Sequence, residues 1–450
     1  MTELTEPVAT RTSPAIIPRP EHTISRKHIS RAALKVLYQL HEAGHQAFLV
    51  GGAVRDLLLG GRPKDFDVAT DAEPETIRAL FRSSRIIGRR FRLVHVRFGR
   101  EIIEVATFRA DARDTQEGTT ESDDKGRLLR DNAYGAIDDD VWRRDFTVNA
   151  LYYNIADFSV WDYVGGVADI QKSRLSLIGD PETRLREDPV RTLRAVRFSA
   201  KLGFEPDEPL RKAMAEHRGL LKDVPAARLF DEFLKLFQAG FASKSYRALR
   251  EHAVFRVLFP DASKGLAATD GDKFEHFIQM ALDNTDKRVA DNRPVTPMFL
   301  IAVFLWWPIK ARARALQEDD GMTPTQALGQ ATFECLARQQ SIIAIPRRFT
   351  VPLREMLTLQ PRFQRTRGGR SMGFLEHRRF RAAYDFMLLR TEIGEVDEEI
   401  AKFWTDVQEQ DRSAREQSFG MRHDTTRTKA PRKRRRRRRR KPSGDGGSAD

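Results

Sequence analysis

Residues Phe48 to Thr70 read Phe-Leu-Val-Gly-Gly-Ala-Val-Arg-Asp-Leu-Leu-Leu-Gly-Gly-Arg-Pro-Lys-Asp-Phe-Asp-Val-Ala-Thr, and they leave the backbone few choices. Phe48-Leu49-Val50 is a short apolar run that fits a buried strand. Gly51 and Gly52 break it and allow a tight turn. Val54 to Leu59 carries an apolar helical face, with Arg55 and Asp56 on its first turn. A strand that turns through glycines into a helix N-terminus offers backbone N–H groups to a phosphate. Gly60-Gly61 ends the helix, and Pro63 blocks its continuation. Asp65-Phe66-Asp67-Val68 then alternates as a strand does, which predicts Asp65 and Asp67 on one face and Phe66 in the core. Two adjacent carboxylates repel unless a cation stands between them, and Mg2+ commonly takes one or two carboxylates together with substrate phosphates.

Taken singly, a Gly-Gly pair is a turn and Asp-x-Asp a solvated loop. In this order and this close, they resemble the signature of the DNA polymerase beta-like nucleotidyltransferase superfamily. Within it the stretch is most similar to the class II family of tRNA nucleotidyltransferases and poly(A) polymerases. The resemblance implies an α+β fold: a small mixed-sheet nucleotidyltransferase head domain followed by all-helical neck, body and C-terminal domains, with a disordered basic tail. It also implies that Gly51, Gly52 and Arg55 hold the ATP triphosphate, with Asp56 beside them, and that Asp65 and Asp67 hold catalytic Mg2+.

The length of 450 residues allows about three domains. A disordered extension is expected over 1–29, the head over 30–178, and a helical neck and body over 179–329. A helical, Arg-rich RNA-binding domain is expected over 330–417 and a basic tail over 418–450. The net charge is +14, and Arg432 to Lys441 is an unbroken cationic run, so most of the excess belongs to that run. One cysteine, Cys335, excludes an intrachain disulfide. Met1 to Pro20 has no apolar core of a signal peptide. The longest apolar run, Met298 to Trp307, is too short to span a bilayer, which takes ~20 residues. A cytoplasmic, monomeric protein is expected, with Met298 to Trp307 as a buried helix.

Along the chain, Ser30 is expected to cap a helix to Ala43, and Pro74 to open another to Phe81. Arg92–Phe98 and Glu101–Phe108 alternate as a hairpin around Gly99-Arg100. From Ala110 to Asn132 no period is visible, and a functional loop is expected. A helix over Val141–Ala150 and a strand or hairpin over Leu151–Tyr163 follow. Pro181 to Leu202 is helical with a break at Pro189, and Asp188 caps the second piece. Helices are expected at 226–237, 246–259 and 274–282.

Three further motifs carry chemistry. Glu104 stands in the apolar run Ile102-Ile103-Glu104-Val105, where a bare carboxylate is costly, so it is the candidate third metal ligand; the alternative is a solvent-facing position on a one-sided strand. Arg143-Arg144-Asp145-Phe146-Thr147-Val148-Asn149 places Asp145 and Asn149 on one helix face. By resemblance, Asp145 belongs to the active site and Arg144 and Asn149 lie near the nucleotide. In Arg186-Glu187-Asp188-Pro189-Val190-Arg191-Thr192-Leu193-Arg194, the resemblance implies that Asp188 and Arg191 read the base edge, with Arg194 in the same site. An Arg donor and an Asp acceptor match adenine and cytosine alike. The device therefore admits both A addition and CCA addition.

Ile87-Gly88-Arg89-Arg90-Phe91-Arg92 resembles the poly(A) polymerase version of its strand, and Gly373–Phe386 resembles a C-terminal segment of the same branch. The resemblance therefore implies a polynucleotide adenylyltransferase acting on RNA 3′ ends in messenger RNA polyadenylation, with RNA-decay factors as partners. CCA addition to tRNA is the alternative, and a non-catalytic RNA-binding adaptor is the alternative of another class. The tail fits sequence-blind phosphate binding, a solvated tail, or contact with anionic lipid. Arg362, Phe363, Arg365, Arg367, Arg370, Phe374 and Phe380 are either an RNA-stacking surface or, for the aromatics, core.

Overall fold

The computed structural model describes residues 13–88, 92–110, 120–122, 128–131 and 133–421. Strands β1 (Ala15–Ile17), β2 (Ala47–Val50), β3 (Asp67–Thr70), β4 (Ser84–Ile87), β5 (Leu93–Phe98) and β6 (Glu101–Thr107) come first. A separate antiparallel pair follows, β7 (Thr120–Ser122) and β8 (Leu128–Asp131), before β9 (Leu151–Asn154) and β10 (Val160–Asp162) return to the main sheet. The 8-stranded sheet has the order β1-β10-β9-β2-β3-β6-β5-β4 and is antiparallel except where β3 runs parallel to β6. This mixed sheet, followed by helices, is the expected fold class.

β2 is central and buried along its whole length. Ala47 and Leu49 pack with helix α1 (Arg31–Glu42), while Phe48 and Val50 pack with Ala69, Val141 and Tyr152 on the other face. Burial on both faces accounts for a strand without polar alternation. Ser30 caps α1, its Oγ accepting the Ala33 N–H at 3.0 Å. Short helices α2 (Gly52–Leu58), α3 (Pro74–Leu80), α4 (Ile137–Arg143) and α5 (Gly166–Gln171) complete the sheet unit. The hairpins β5–β6 and β9–β10 form where the alternation predicts them.

Helices then dominate. α6 (Pro181–Glu187) and α7 (Val190–Leu202) are separated at Asp188-Pro189, and α8 (Glu208–His217), α9 (Ala226–Phe237) and α10 (Ala242–Glu251) follow. The run Met298 to Trp307 lies buried inside the helix Pro297–Asp320, with the Phe304 ring 5.3 Å from Phe237 and 4.9 Å from Phe259. No helix among the described residues is long and apolar enough to cross a membrane.

Several expectations change. Residues 13–29 are anchored to the sheet unit rather than a disordered extension: β1 pairs with β10, and Ile24 and Ile29 are buried in the core. Ile24 and Ile29, with Ile17 packed against the same core, hold it. The expected helix over Val141–Ala150 stops at Arg143; Arg144 to Phe146 is extended, Phe146 bridges Leu177, and Thr147–Asn149 is a single 3-10 turn. Tertiary pairing with the 177 segment overrides the helical pattern. The expected helix over 246–259 breaks at Ala253, whose φ is 54°. Part of the expected loop at 110–132 is the β7–β8 pair.

Phe363, Phe374 and Phe380 form core around Trp404, with exposures of 1%, 1% and 5%, so they offer no stacking surface. Residues 1–12, Arg89 to Phe91, most of 111–132 and the basic run Arg432 to Lys441 lie outside the described residues.

Candidate active site

Where β2 ends, Gly51 takes φ +71°, a geometry side chains resist. A methyl there would meet Arg144 Nη1 at 3.7 Å and the Asn149 carbonyl at 3.8 Å. The turn is therefore roofed by the 144–149 segment, and Gly52 opens α2 directly after it. β3 starts at Asp67, paired with Val50 on one side and in parallel register with Glu104 on the other. Glu104 in turn is the register partner of His95, whose Nε2 lies 3.2 Å from Glu104 Oε1. Phe66, Val68, Ile103 and Val105 all join the core on the α1 side, which sends Asp67 and Glu104 to the opposite face.

Asp65 stands before β3 rather than on it, so strand alternation is not what orients it. It nevertheless lines the same cleft as Asp67, Glu104, Gly51 and Gly52, a space of about 790 Å³. Phe66 between them is buried as expected, with 7% exposure.

The electrostatics of this cleft are uneven. Solvent reaches Asp67, yet protein crowds it from the sides. Its carboxyl is pushed up to about 6 by that burial, by Glu104 and by Asp65, with Arg144 pulling the other way. Neighbouring like charges of this kind favour a bound cation. Among the described residues no three His, Cys, Asp or Glu side chains converge closely enough to hold a metal by themselves. Two carboxylates with room for phosphate oxygens is nonetheless a donor set that Mg2+ accepts. Around the acids the walls are cationic, with Arg62, Lys64, Arg109, Arg143, Arg144, Arg194, Arg197, Lys201 and Lys235 all lining the cleft.

The other expected residues divide into those with a free face and those already engaged. Arg55 is 2% exposed and spends its guanidinium on Asp56 Oδ1, at 2.8 and 2.6 Å, and on Asn149 Oδ1. It ties α2 to the 3-10 turn rather than standing free for phosphate. Asp56 also meets Lys201 Nζ at 3.4 Å. Arg144 donates to Asp140 and to the Tyr152 hydroxyl, the latter at 2.7 Å. Burial would lower its pKa, but Tyr152 and Asp140 outweigh that and hold it above the usual arginine value. Its Nη1 is the atom turned toward Gly51.

Asp145 and Asn149 do not share a helix face, because no helix spans them. Asp145 is clamped by α7: Arg191 Nε lies 3.0 Å from Oδ1 and Arg194 Nε 2.7 Å from Oδ2. Burial alone would raise the Asp145 carboxyl, but Arg194 and Arg191 hold it below the usual range. Asp188 and Arg191 do not line the cleft. Arg228 takes both oxygens of Asp188, at 2.8 and 2.6 Å, and Arg191 is buried against Asp145 and Glu187. Of that motif only Arg194 reaches the cleft, followed by Arg197 and Lys201. Lys201 was readable as the next member of the stripe Arg194, Arg197 at helical spacing; Lys235 arrives from α9 and had no local signal.

The comparisons with known proteins agree with this geometry. The family described as "Poly A polymerase head domain" matches residues 47–176. "Probable RNA and SrmB- binding site of polymerase A" matches 203–266, and "Polymerase A arginine-rich C-terminus" matches 320–441. The chain is 45% identical over 432 residues to Poly(A) polymerase I of Escherichia coli O6:H1, covering 95% of this chain and 92% of that protein. It is 45% identical over 405 residues to Poly(A) polymerase I of Haemophilus influenzae, covering 89% and 90%. The CCA-adding enzyme of Bacillus subtilis is 38% identical over 228 residues, covering 50% of this chain and 55% of that protein. The fold is that of the Bacillus stearothermophilus CCA-adding enzyme solved with CTP, with a TM-score of 0.56 and 24% identity over 83% of this chain and 82% of that one. A glycine turn, an acid row and cationic walls in one cleft thus coincide with end-to-end similarity, and the chain belongs to the bacterial poly(A) polymerase family of nucleotidyltransferases.

Proposed function

We propose that the chain is a template-independent polynucleotide adenylyltransferase, extending RNA 3′ ends with AMP from ATP. The 3′-oxygen of RNA attacks the α-phosphorus, the new O–P bond forms as the bond to pyrophosphate breaks, and the hydroxyl proton is released. Asp65 and Asp67, with Glu104 beside them, would hold Mg2+ together with the substrate phosphates, and the ion when bound neutralises phosphate charge and makes the attacking hydroxyl more acidic. The Gly51-Gly52 turn and Arg144 Nη1 bind the triphosphate, and Arg194, Arg197 and Lys201 neutralise the rest of its charge. Arg55, Asp56 and Asn149 form the frame beneath. Catalysis is then positioning plus charge neutralisation. Since Asp188 is committed to Arg228, base recognition is assigned to the arginines that reach the cleft, and Asp145 is assigned to holding them. Action on messenger RNA in the cytoplasm follows from this reading.

One observation favours it over CCA addition. The 45% identity to Poly(A) polymerase I extends over 95% of this chain, whereas the Bacillus subtilis CCA-adding enzyme matches 50% of it. Incubation with a 3′-OH RNA, Mg2+ and each nucleoside triphosphate alone tests it. Long, heterogeneous products with ATP alone are expected. Addition that stops after a fixed C-C-A would make the chain a CCA-adding enzyme, and RNA binding without transfer would make it an adaptor.

A further inference from the structure

The helices Pro324–Gln340 and Arg347–Thr358 lie side by side in the C-terminal region and leave a groove of about 640 Å³ between them. None of its lining residues belongs to the active-site cleft. Phe333 stands in this groove with 53% exposure, and no other Phe, Tyr or Trp among the described residues is as exposed. Phe363, Phe374, Phe380 and Phe419 are buried around Trp404, so an aromatic left in water here is unusual in its own setting.

Arg354 lies over the Phe333 ring, its Cζ 5.4 Å from the centroid. No carboxylate pairs with Arg354 among the described residues. The nearest acids in sequence on both helices are already neutralised: Glu334 by Arg312 at 2.6 Å, and Glu355 by Arg378 and by Arg379 at 2.9 Å. Arg347, Val351, Arg354 and Thr358 recur at helical spacing on one face, and Arg347, Val351 and Arg354 are exposed. Gly329 keeps the floor low: a methyl there would meet only the Thr358 side chain, at 3.8 Å. Gln330 adds an amide to the lining.

An exposed aromatic ring, a guanidinium over it and no uncompensated acid on either of the two helices make a poor seat for an apolar protein helix. They suit a stacked base with a phosphate on either side. We propose that this groove is a second binding site for single-stranded RNA, separate from the cleft, in which Phe333 stacks a base and Arg354 and Arg347 meet the flanking phosphates. The proposal rests on the reading that the chain acts on RNA, and it deepens that reading by adding a grip on the strand outside the active site.

The test uses the full chain and an oligoadenylate carrying 2-aminopurine at one position at a time, at salt high enough to screen the Arg432 to Lys441 run. Phe333→Ala is expected to weaken binding about 5- to 100-fold and to abolish the quenching of 2-aminopurine at one register. Phe333→Trp should restore both, and Arg354→Ala should weaken binding in the same direction. The rate of first AMP addition to a saturating short primer should stay unchanged, and circular dichroism should match the parent. Phe333→Ala and Arg354→Ala proteins that both bind within about twofold of the parent would overturn the site, including the case in which this face serves a protein. A parent that binds RNA through Phe333 yet transfers no AMP would support the groove and refute the adenylyltransferase reading instead.

Discussion

Arg55 carries its charge in a place where water cannot reach it, at 2% exposure, and both of its partners come from the site's own wall: Asp56 from the next position and Asn149 from the 3-10 turn. A buried charge of this kind is costly unless every donor is used. Removing it leaves Asp56 short of its main cation and Asn149 without a donor. Arg55→Ala is therefore expected to cost roughly 3 kcal/mol in urea unfolding, with loss of activity as a consequence. A cost under about 1 kcal/mol would mean that the arginine is replaceable by water and that the frame is misassigned. The motif Gly-Gly-x-x-Arg-Asp could be read from spacing, because a glycine turn and a helix start are local events. The fate of the guanidinium could not, since Asn149 lies far along the chain. Phe66 was legible for the opposite reason: an aromatic between two aspartates has one sensible direction.

α7 fastens the helical region to the sheet through Asp145, which accepts ion pairs from Arg191 and Arg194. The carboxyl is held below its usual range by those arginines, against the opposing effect of burial. A depressed folded-state value contributes stability that is present above the unfolded value, near 3.9, and is lost as pH falls through the lower folded one. Asp145→Asn should accordingly lower the melting temperature at neutral pH, by an amount worth roughly 3 kcal/mol. The gap to the parent should close as the pH falls below about 4. A gap that persists unchanged into strong acid would place the loss elsewhere. From α9, Arg228 holds Asp188 at the junction of α6 and α7. The helices themselves followed from period, proline and caps. The failure at Val141 to Ala150 arose because Phe146 and Val148 look equally apolar in a helix and in an extended segment, and the pairing partner Leu177 is not local.

The acid row is assembled by topology. β3 is hydrogen-bonded in parallel to β6, so Asp67 and Glu104 become neighbours only when the sheet closes. The candidate pairing of these acids could be suspected from Glu104 in an apolar run, but the register could not be read from sequence. The same holds for the first strand: Ala15–Ile17 has little local signal and is ordered by β10. Charge is divided in a similar way, with cationic walls in the cleft and a separate run from Arg432 to Lys441. Deleting that run should weaken RNA binding and flatten the salt dependence by about 0.7 in slope for each phosphate it no longer neutralises. An unchanged slope would mean that the grip on RNA lies wholly outside that run. The central claim, that Asp67 and its neighbouring acids work on ATP beside the Gly51 turn, is tested by one comparison of Asp67→Asn with the parent for AMP transfer and RNA affinity side by side. The account predicts that transfer disappears while the affinity for RNA stays within about twofold; a variant that still extends RNA at the parent's rate would contradict it.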